Sequence, residues 1–516
     1  MKAPRRPRTI LLLIADTGAG HRSAANAITA AMTLLTADEV LGEPPLPRNA
    51  HDPGWKAVVV DAFANCGRFP LRNGVSLYGP AIQYSPRLYG QIYHFTNTRT
   101  RFDTALRLCQ PFLRQGLRRL IARTRPDIIV SIHPLLNHIT LQVLRDLRVR
   151  IPVVTVVTDL VSIHCAWMAP GVNACVVPTE TARVQALAAG IPRKRIHQLG
   201  MPIHPRFAQV EGRSREDLRA KLGLDPALPV LLMVGGGEGA GGLAAAIKAL
   251  SAEDLPAQLV VIAGRNQQLR ADLERARDQF RMPMRVFGFV ENMPDFMHAA
   301  DILVTKAGPG TICEAMACEL PIVLMGAVPG QEEGNVDFVR ENGLGVVIDT
   351  PQDLPHVLRE LLDSHTPRLA ALRQAVRGVS QPRASFDIAR LVLSYLPGST
   401  TPSVWDLRRV RTRATRRYAA RAGRVVSRMP LPRLGSLPAR RLDGMRRALP
   451  FGVRGMPGSA RRAESYPLRL TQVARVRALL KRELHETIQL RWSGSGRRSD
   501  DARAPLSSGR GAARLR

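Results

Sequence analysis

The residues from Thr305 to Glu314, Thr-Lys-Ala-Gly-Pro-Gly-Thr-Ile-Cys-Glu, place two glycines, a helix start and a carboxylate directly after an apolar run. Gly308 and Gly310 let the backbone approach a ligand closely, and a helix opening at Thr311 presents unpaired N–H groups at its positive end. Such an end suits a diphosphate. Glu314, one turn further on, is placed to accept hydrogen bonds from a ribose diol. Glycine turns and acidic first turns also occur in α/β folds without any ligand, where the acid only complements the helix dipole. The next loop, Pro329 to Asn335, shifts the balance. It follows another apolar run and adds Gln331, Glu332 and Asn335 at the end of a sheet, where open α/β folds bind ligands. The block as a whole reads as a grip for a sugar nucleotide.

Two further glycine turns follow apolar runs. In Val234 to Gly242, Gly236 and Gly237 would complete a diphosphate cradle. In Asp16-Thr17-Gly18-Ala19-Gly20-His21, an imidazole opens a helix. Read alone, His21 is either a helix-start residue or a general base, since imidazole titrates near neutral pH. Asp159, just past the apolar run Val153 to Val157, is the second candidate base. His133 and His164 lie after similar runs, as cleft residues or as satisfied polar groups. The histidines lack His-x-x-x-His spacing and no Cys-x-x-Cys pair occurs, so neither a metal nor another cofactor is expected.

The elements that must position these groups repeat a simple rhythm. Short Val/Ile/Leu-rich runs at 10–15, 57–60, 127–132, 153–157 and 174–177 alternate with helical stretches, and a second series occupies 230–234, 259–263, 284–287, 302–305, 321–325 and 345–348. That alternation predicts parallel strands joined by helices. Gly200-Met201-Pro202-Ile203-His204-Pro205 suits an interdomain linker. The expected organisation is an α/β protein with one Rossmann-like domain at 1–202, a second at 203–397 and a tail at 398–516.

Composition agrees with a large folded enzyme. The chain has 516 residues, 45% hydrophobic content and a formal net charge of +32. Beyond residue 400 basic residues outnumber acidic ones about fourfold, so roughly two thirds of the excess lies in the tail. The six cysteines sit in apolar surroundings without paired spacing, the pattern of reduced thiols in a cytoplasmic protein. Lys2, Arg5, Arg6 and Arg8 before Ile10 to Ala15 imitate a signal peptide, but Asp16 closes the run and a first β-strand is the better reading. No apolar stretch reaches the roughly 18 residues needed to span a bilayer, so membrane contact is expected to be peripheral, at the inner face of the cell membrane.

The blocks Thr305 to Ala315 and Pro329 to Asn335 together resemble the monogalactosyldiacylglycerol synthase and processive diacylglycerol glucosyltransferase family. That family is similar to the peptidoglycan lipid-intermediate GlcNAc transferase and shares its two-domain GT-B fold. The resemblance covers about three quarters of the chain. It implies an inverting hexosyl transfer from UDP-glucose or UDP-galactose to diacylglycerol, with His21 as base beside Gly20, and with His133 and His164 lining the acceptor cleft. It places Phe289, Val290 and Met293 around the uracil, Glu314 on the ribose, and Gln331 and Glu332 on sugar hydroxyls. The diphosphate would rest on backbone amides and helix ends. The family's final helix crosses back onto the first domain, and Arg383 to Leu396 has the spacing for it. Transfer of GlcNAc to another lipid-linked acceptor, or a non-catalytic membrane-binding protein on the same fold, are the alternatives.

Two segments bear on membranes. Residues 69–98 hold about half of the seven tyrosines, including Tyr89 and Tyr93, among Leu, Ile and Phe. In the resembling enzymes this region serves the lipid acceptor, although a buried helical pair would carry the same pattern. The tail reads as partly disordered, with amphipathic helical stretches at 403–429 and 473–488 whose Arg-rich faces suit an anionic membrane surface. It lacks a nucleic-acid-binding module and the aromatics for base stacking, so no nucleic-acid partner is expected.

Overall fold

A computed structural model describes residues 6–16, 20–37, 54–72, 85–208, 214–235, 242–397 and 401–405, all within the compact unit Met1–Arg424. The first sheet contains β1 (Arg8–Ile14), β2 (Trp55–Asp61), β3 (Ile128–Ser131), β4 (Val153–Val156), β5 (Ala174–Val177) and β6 (Ile196–Gln198). Its strands are parallel in the order β2-β1-β3-β4-β5-β6. Helices cover both faces, so every residue of β1, β3, β4 and β5 is buried, which is why these strands are mostly apolar rather than alternating. The edge strand β6 has only three residues, none of them buried, and no apolar run announced it.

The second sheet contains β7 (Val230–Val234), β8 (Gln258–Ile262), β9 (Met284–Phe287), β10 (Ile302–Thr305), β11 (Ile322–Leu324) and β12 (Gly345–Val347). It is again parallel, in the order β12-β11-β10-β7-β8-β9. The chain enters at the middle, winds outward to β9, returns beside β7 with β10 and winds out the other way. Such a reversal leaves a crevice beyond the strand ends between β7 and β10, where ligands enter open α/β sheets. In the first sheet the corresponding reversal lies between β1 and β3. Of the glycines that the sequence singles out, Gly20 after β1 and Gly308 and Gly310 after β10 stand at these two crevices.

The chain crosses between the sheets twice, and the crossings run side by side. Gly200 adopts φ +89°, and a side chain there would collide with Gln381 and Ala384. The Ser385 hydroxyl donates to the Ile203 carbonyl across the same pair of strands of chain. Helix Ala384–Ser394 then packs on helix Gly20–Ala37, with Phe386, Ile388, Ala389 and Val392 joining the core behind Ile10, Leu12 and Ile128. Two Rossmann-like sheets joined in this way are the GT-B fold.

Residues 401–405 continue past that helix and close the far end of the first sheet. Arg8 donates to the Thr401 carbonyl (2.7 Å), Arg6 to the Ser403 hydroxyl (2.9 Å), and Trp405 is buried with its indole N–H on the Pro126 carbonyl (2.9 Å). Replacing Trp405 by Phe removes that donor and leaves a buried carbonyl unpaired, an expected loss of about 1–2 kcal/mol. Urea unfolding of the full chain checks this. A midpoint equal to that of the unmodified chain would show that the strap adds nothing to the domain. The amphipathic stretches expected at 403–429 and 473–488 lie outside the described residues apart from 403–405. Among the described residues no helix is long and apolar enough to cross a membrane.

Candidate active site

At the second sheet's crevice, the Thr305 hydroxyl donates to the Val234 carbonyl (2.8 Å) and holds the ends of β10 and β7 together. The following helix spans Pro309–Ala317, two residues ahead of the start expected at Thr311. Pro309 explains the shift, because its fixed φ suits the first helical position and its missing N–H costs nothing there. The Ile312 N–H is already used by the Gly308 carbonyl (3.0 Å) and that of Gly308 by Lys306 (2.7 Å). The outward-facing amides are therefore those of Gly310 and Thr311. Gly310 faces open space, since a Cβ placed there would meet nothing within 4 Å.

Lys306 is the residue here to which the sequence assigned no role. Its ammonium lies 3.4 Å from the point a Cβ on Gly308 would occupy, and the Thr311 hydroxyl lies 3.9 Å from the same point. The Lys306 ammonium, the Thr311 hydroxyl and a Glu332 carboxylate oxygen (3.9 Å) thus surround one spot at the start of the helix. Glu332 pairs with Lys306 and accepts from the Val328 N–H (2.9 Å). This buried carboxylate holds the lysine and the loop in place, so Gln331 rather than Glu332 has its polar end at the cleft. Asn335 donates to the Ala307 carbonyl (2.9 Å), while its buried Oδ1 has no partner among the described residues.

Glu314 is half-buried with no hydrogen bond or ion pair to its side chain among the described residues, and burial pushes its pKa up to about 7. Phe289 is 62% exposed, with the Arg265 guanidinium 5.5 Å from its ring centre. Val290 and Met293 are half-buried against the second core. Gly236 and Gly237 lie outside the described residues.

At the first sheet's crevice, helix Gly20–Ala37 starts with Gly20 exposed and His21 half-buried. His21 Nδ1 lies 3.2 Å from the Thr158 hydroxyl, and the ring also bonds the Ile132 backbone. Burial lowers its pKa to about 4, against the opposing pull of Asp16 and of the Ile132 bond, so the imidazole is neutral at physiological pH. His133 packs edge-on between His21 (5.1 Å) and Phe63 (5.0 Å); it is buried, and its Nδ1 has no partner among the described residues.

Asp159 accepts from the Trp167 indole (2.7 Å) and from the Gln331 amide (3.3 Å). Burial raises its pKa to about 6, which those hydrogen bonds oppose. Trp167, unremarked in the sequence, also lies 6.2 Å from the His21 ring. A set of polar residues holds the turn that carries it. His164 Nδ1 accepts from the Ala166 N–H (3.1 Å), His138 bonds the Ala166 carbonyl (3.1 Å), and Asn137 donates to the Trp167 carbonyl (3.1 Å). These groups, His164 among them, position the turn from behind.

The two crevices meet through helix Pro86–Thr96. The Tyr89 hydroxyl donates to Gln331 Oε1 (2.9 Å), and the Tyr93 hydroxyl to the Ser162 carbonyl (2.7 Å). Gly334 donates its N–H to the Ser162 hydroxyl (3.1 Å). Gln331 is thereby held by both Tyr89 and Asp159 of the opposite sheet's domain. No group of three or more His, Cys, Asp or Glu side chains among the described residues could hold a metal ion.

Residues 21–203 match the family model for monogalactosyldiacylglycerol (MGDG) synthase, and residues 230–378 the glycosyltransferase family 28 C-terminal domain. The probable monogalactosyldiacylglycerol synthase 2 of Oryza sativa subsp. japonica is 35% identical over 411 residues, 78% of this chain and 84% of that protein. Monogalactosyldiacylglycerol synthase 2 of Arabidopsis thaliana is 33% identical over 394 residues, 75% of this chain and 80% of that one. The spinach enzyme, Spinacia oleracea, is 33% identical over 75% of this chain and 72% of its own length. Matches that span both sheets and both crevices place the chain in the monogalactosyldiacylglycerol synthase family of glycosyltransferases.

Proposed function

We propose that the chain transfers a hexose, galactose before glucose, from its UDP-sugar to diacylglycerol at a membrane surface, inverting the anomeric carbon. The observation that carries this is the meeting of the two crevices at Gln331, which brings a diphosphate-type grip on one sheet opposite a neutral imidazole on the other. The names of the relatives support galactose and diacylglycerol. In this reading the neutral His21 takes the proton from the acceptor hydroxyl, and the acceptor oxygen attacks the anomeric carbon. The Gly310 and Thr311 amides, with the Lys306 ammonium, stabilise the charge that develops on the departing UDP. Thr158 orients the imidazole through Nδ1. Gln331 contacts the sugar, Glu314 the ribose, and Phe289 the base.

Helix Pro86–Thr96 supports the membrane part. Leu88, Ile92 and Phe95 fall on one face and are 56%, 54% and 59% exposed, with Arg101 packed on the Phe95 ring at 4.2 Å. Three large apolar side chains in a row beside a cation suit an anionic bilayer interface. The basic tail adds a second, electrostatic attachment. Removing residues 406–516, which keeps Trp405, is expected to weaken cosedimentation with phosphatidylglycerol vesicles about tenfold or more while leaving UDP affinity within about twofold. Equal sedimentation of both forms would end the tail's part in this account. The activity itself is tested by supplying diacylglycerol vesicles with UDP-galactose, UDP-glucose or UDP-GlcNAc. A galactolipid is expected; product from UDP-GlcNAc alone would favour the GlcNAc alternative, and no product from any donor would favour the non-catalytic one.

A further inference from the structure

Helix Pro86–Thr96 has two working faces. Leu88, Ile92 and Phe95, four and three residues apart, point outward, and the opposite side carries Tyr89, Gly90 and Tyr93. Each residue on that inner side meets the loop or turn at the cleft. Tyr89 bonds Gln331, a Cβ on Gly90 would lie 2.7 Å from Pro329, and Gly330 abuts the Tyr93 ring so closely that a Cβ there would come within 2.9 Å. His94 lies 3.4 Å from the Glu333 carboxylate. The helix is therefore a wedge between the outer apolar stripe and the loop 329–333.

We propose that Tyr89 is a positioning residue through which a lipid surface seated on Leu88, Ile92 and Phe95 sets the Gln331 carboxamide and so tightens binding of the donor's sugar. The inference rests on the membrane-facing reading of that stripe. The Tyr89 hydroxyl fixes Gln331 Oε1, which turns the amide nitrogen toward Asp159. That second bond, at 3.3 Å, lies just beyond the roughly 2.7–3.2 Å usual for an amide N–H to an oxygen. A shift of a few tenths of an ångström in the helix is enough to shorten it. Gly90 lies directly against Pro329 and Gly330 directly against the Tyr93 ring, so a shift of the helix passes to the loop by contact. Lipid binding outside and sugar binding inside are then linked, and each strengthens the other by the same factor.

The test compares UDP with UDP-galactose, because the difference between them isolates the sugar. Calorimetry on the full chain measures both affinities with and without phosphatidylcholine and phosphatidylglycerol vesicles that contain no diacylglycerol. In the unmodified chain, vesicles are expected to tighten UDP-galactose about fivefold or more relative to UDP. In Tyr89→Phe that relative gain falls below about twofold, and Ile92→Ser, still held on the vesicles by its basic tail, loses it too. A general loosening of the fold would weaken UDP and UDP-galactose alike. A Tyr89→Phe chain with the full relative gain, or an unmodified chain with none, would overturn the proposal. No acceptor is present, so failure here is separate from failure to make a glycolipid, which the donor assay reads.

Discussion

Replacing His21 with alanine is expected to lower hexosyl transfer by about 10²- to 10⁴-fold while UDP binding stays close to that of the unmodified chain. The imidazole sits at the crevice of the first sheet, and Lys306 and helix Pro309–Ala317, proposed to grip the donor, stand at that of the second, so its loss should fall on turnover. Its depressed pKa adds a signature. With a pKa of about 4 the base is neutral throughout pH 5–8, and kcat/KM is expected to stay nearly flat across that range. An ordinary imidazole would lose roughly 30-fold between pH 8 and pH 5. Asp159, raised to about 6, would instead give an acid limb near that value. A limb near 6 that vanishes in Asp159→Asn, together with an active His21→Ala chain, would transfer the role of base to Asp159.

Replacing Glu314 with glutamine is expected to weaken UDP binding by about 10- to 150-fold, the cost of losing a hydrogen bond to a charged group. Glu314 stands half-buried in the helix that opens at Gly308, without an intramolecular partner among the described residues, which fits a carboxylate waiting for a diol. Its pKa of about 7 makes the effect depend on pH. Protons compete with the ribose for the carboxylate, so UDP affinity should rise between pH 6 and pH 8 in the unmodified chain and stay level in Glu314→Gln. The same raised pKa acts on stability in the other direction. Between the ordinary glutamate value and about 7 the folded chain holds a proton that the unfolded chain has lost, so stability of the UDP-free protein falls as pH rises. Calorimetry at the two pH values settles the matter; equal UDP affinity in both proteins would remove Glu314 from the site.

Most of the fold was legible because its strands are buried on both faces. Runs such as Ile10 to Ile14 and Val230 to Val234 are apolar throughout, and glycine turns after β1 and β10 mark the ends at which the sheets reverse. β6 was not legible, since three half-exposed or exposed residues at a sheet edge carry no pattern. The start expected at Thr311 lies two residues late because the glycines of the turn say nothing of where the helix begins, whereas Pro309 between them fits the first helical position. The pairing of Lys306 with Glu332 lay within the quoted blocks, but only the folded loop shows that they meet.

The polar residues around Trp167 show the limit differently. His164, expected to line the cleft, faces the backbone of the Trp167 turn together with Asn137 and His138, and nothing in the local sequence marks the indole that they hold in place. A tryptophan in an apolar stretch reads as core until its N–H is found on a carboxylate. The contacts of Gln331 with Tyr89 and Asp159 join residues distant in the chain, and no local periodicity encodes them. The Arg- and Pro-rich surroundings of Trp405 point to the tail, although its own ring completes the first core.

The most direct test is to determine the linkage in the lipid that the purified full chain makes from UDP-galactose and diacylglycerol vesicles. The donor carries its sugar in the α configuration, so a single in-line attack between the two crevices predicts a β-linked monogalactosyl diacylglycerol, seen as a large anomeric coupling in the proton NMR spectrum of the product. An α-linked product, or no glycolipid from a folded chain that binds UDP, would contradict the account.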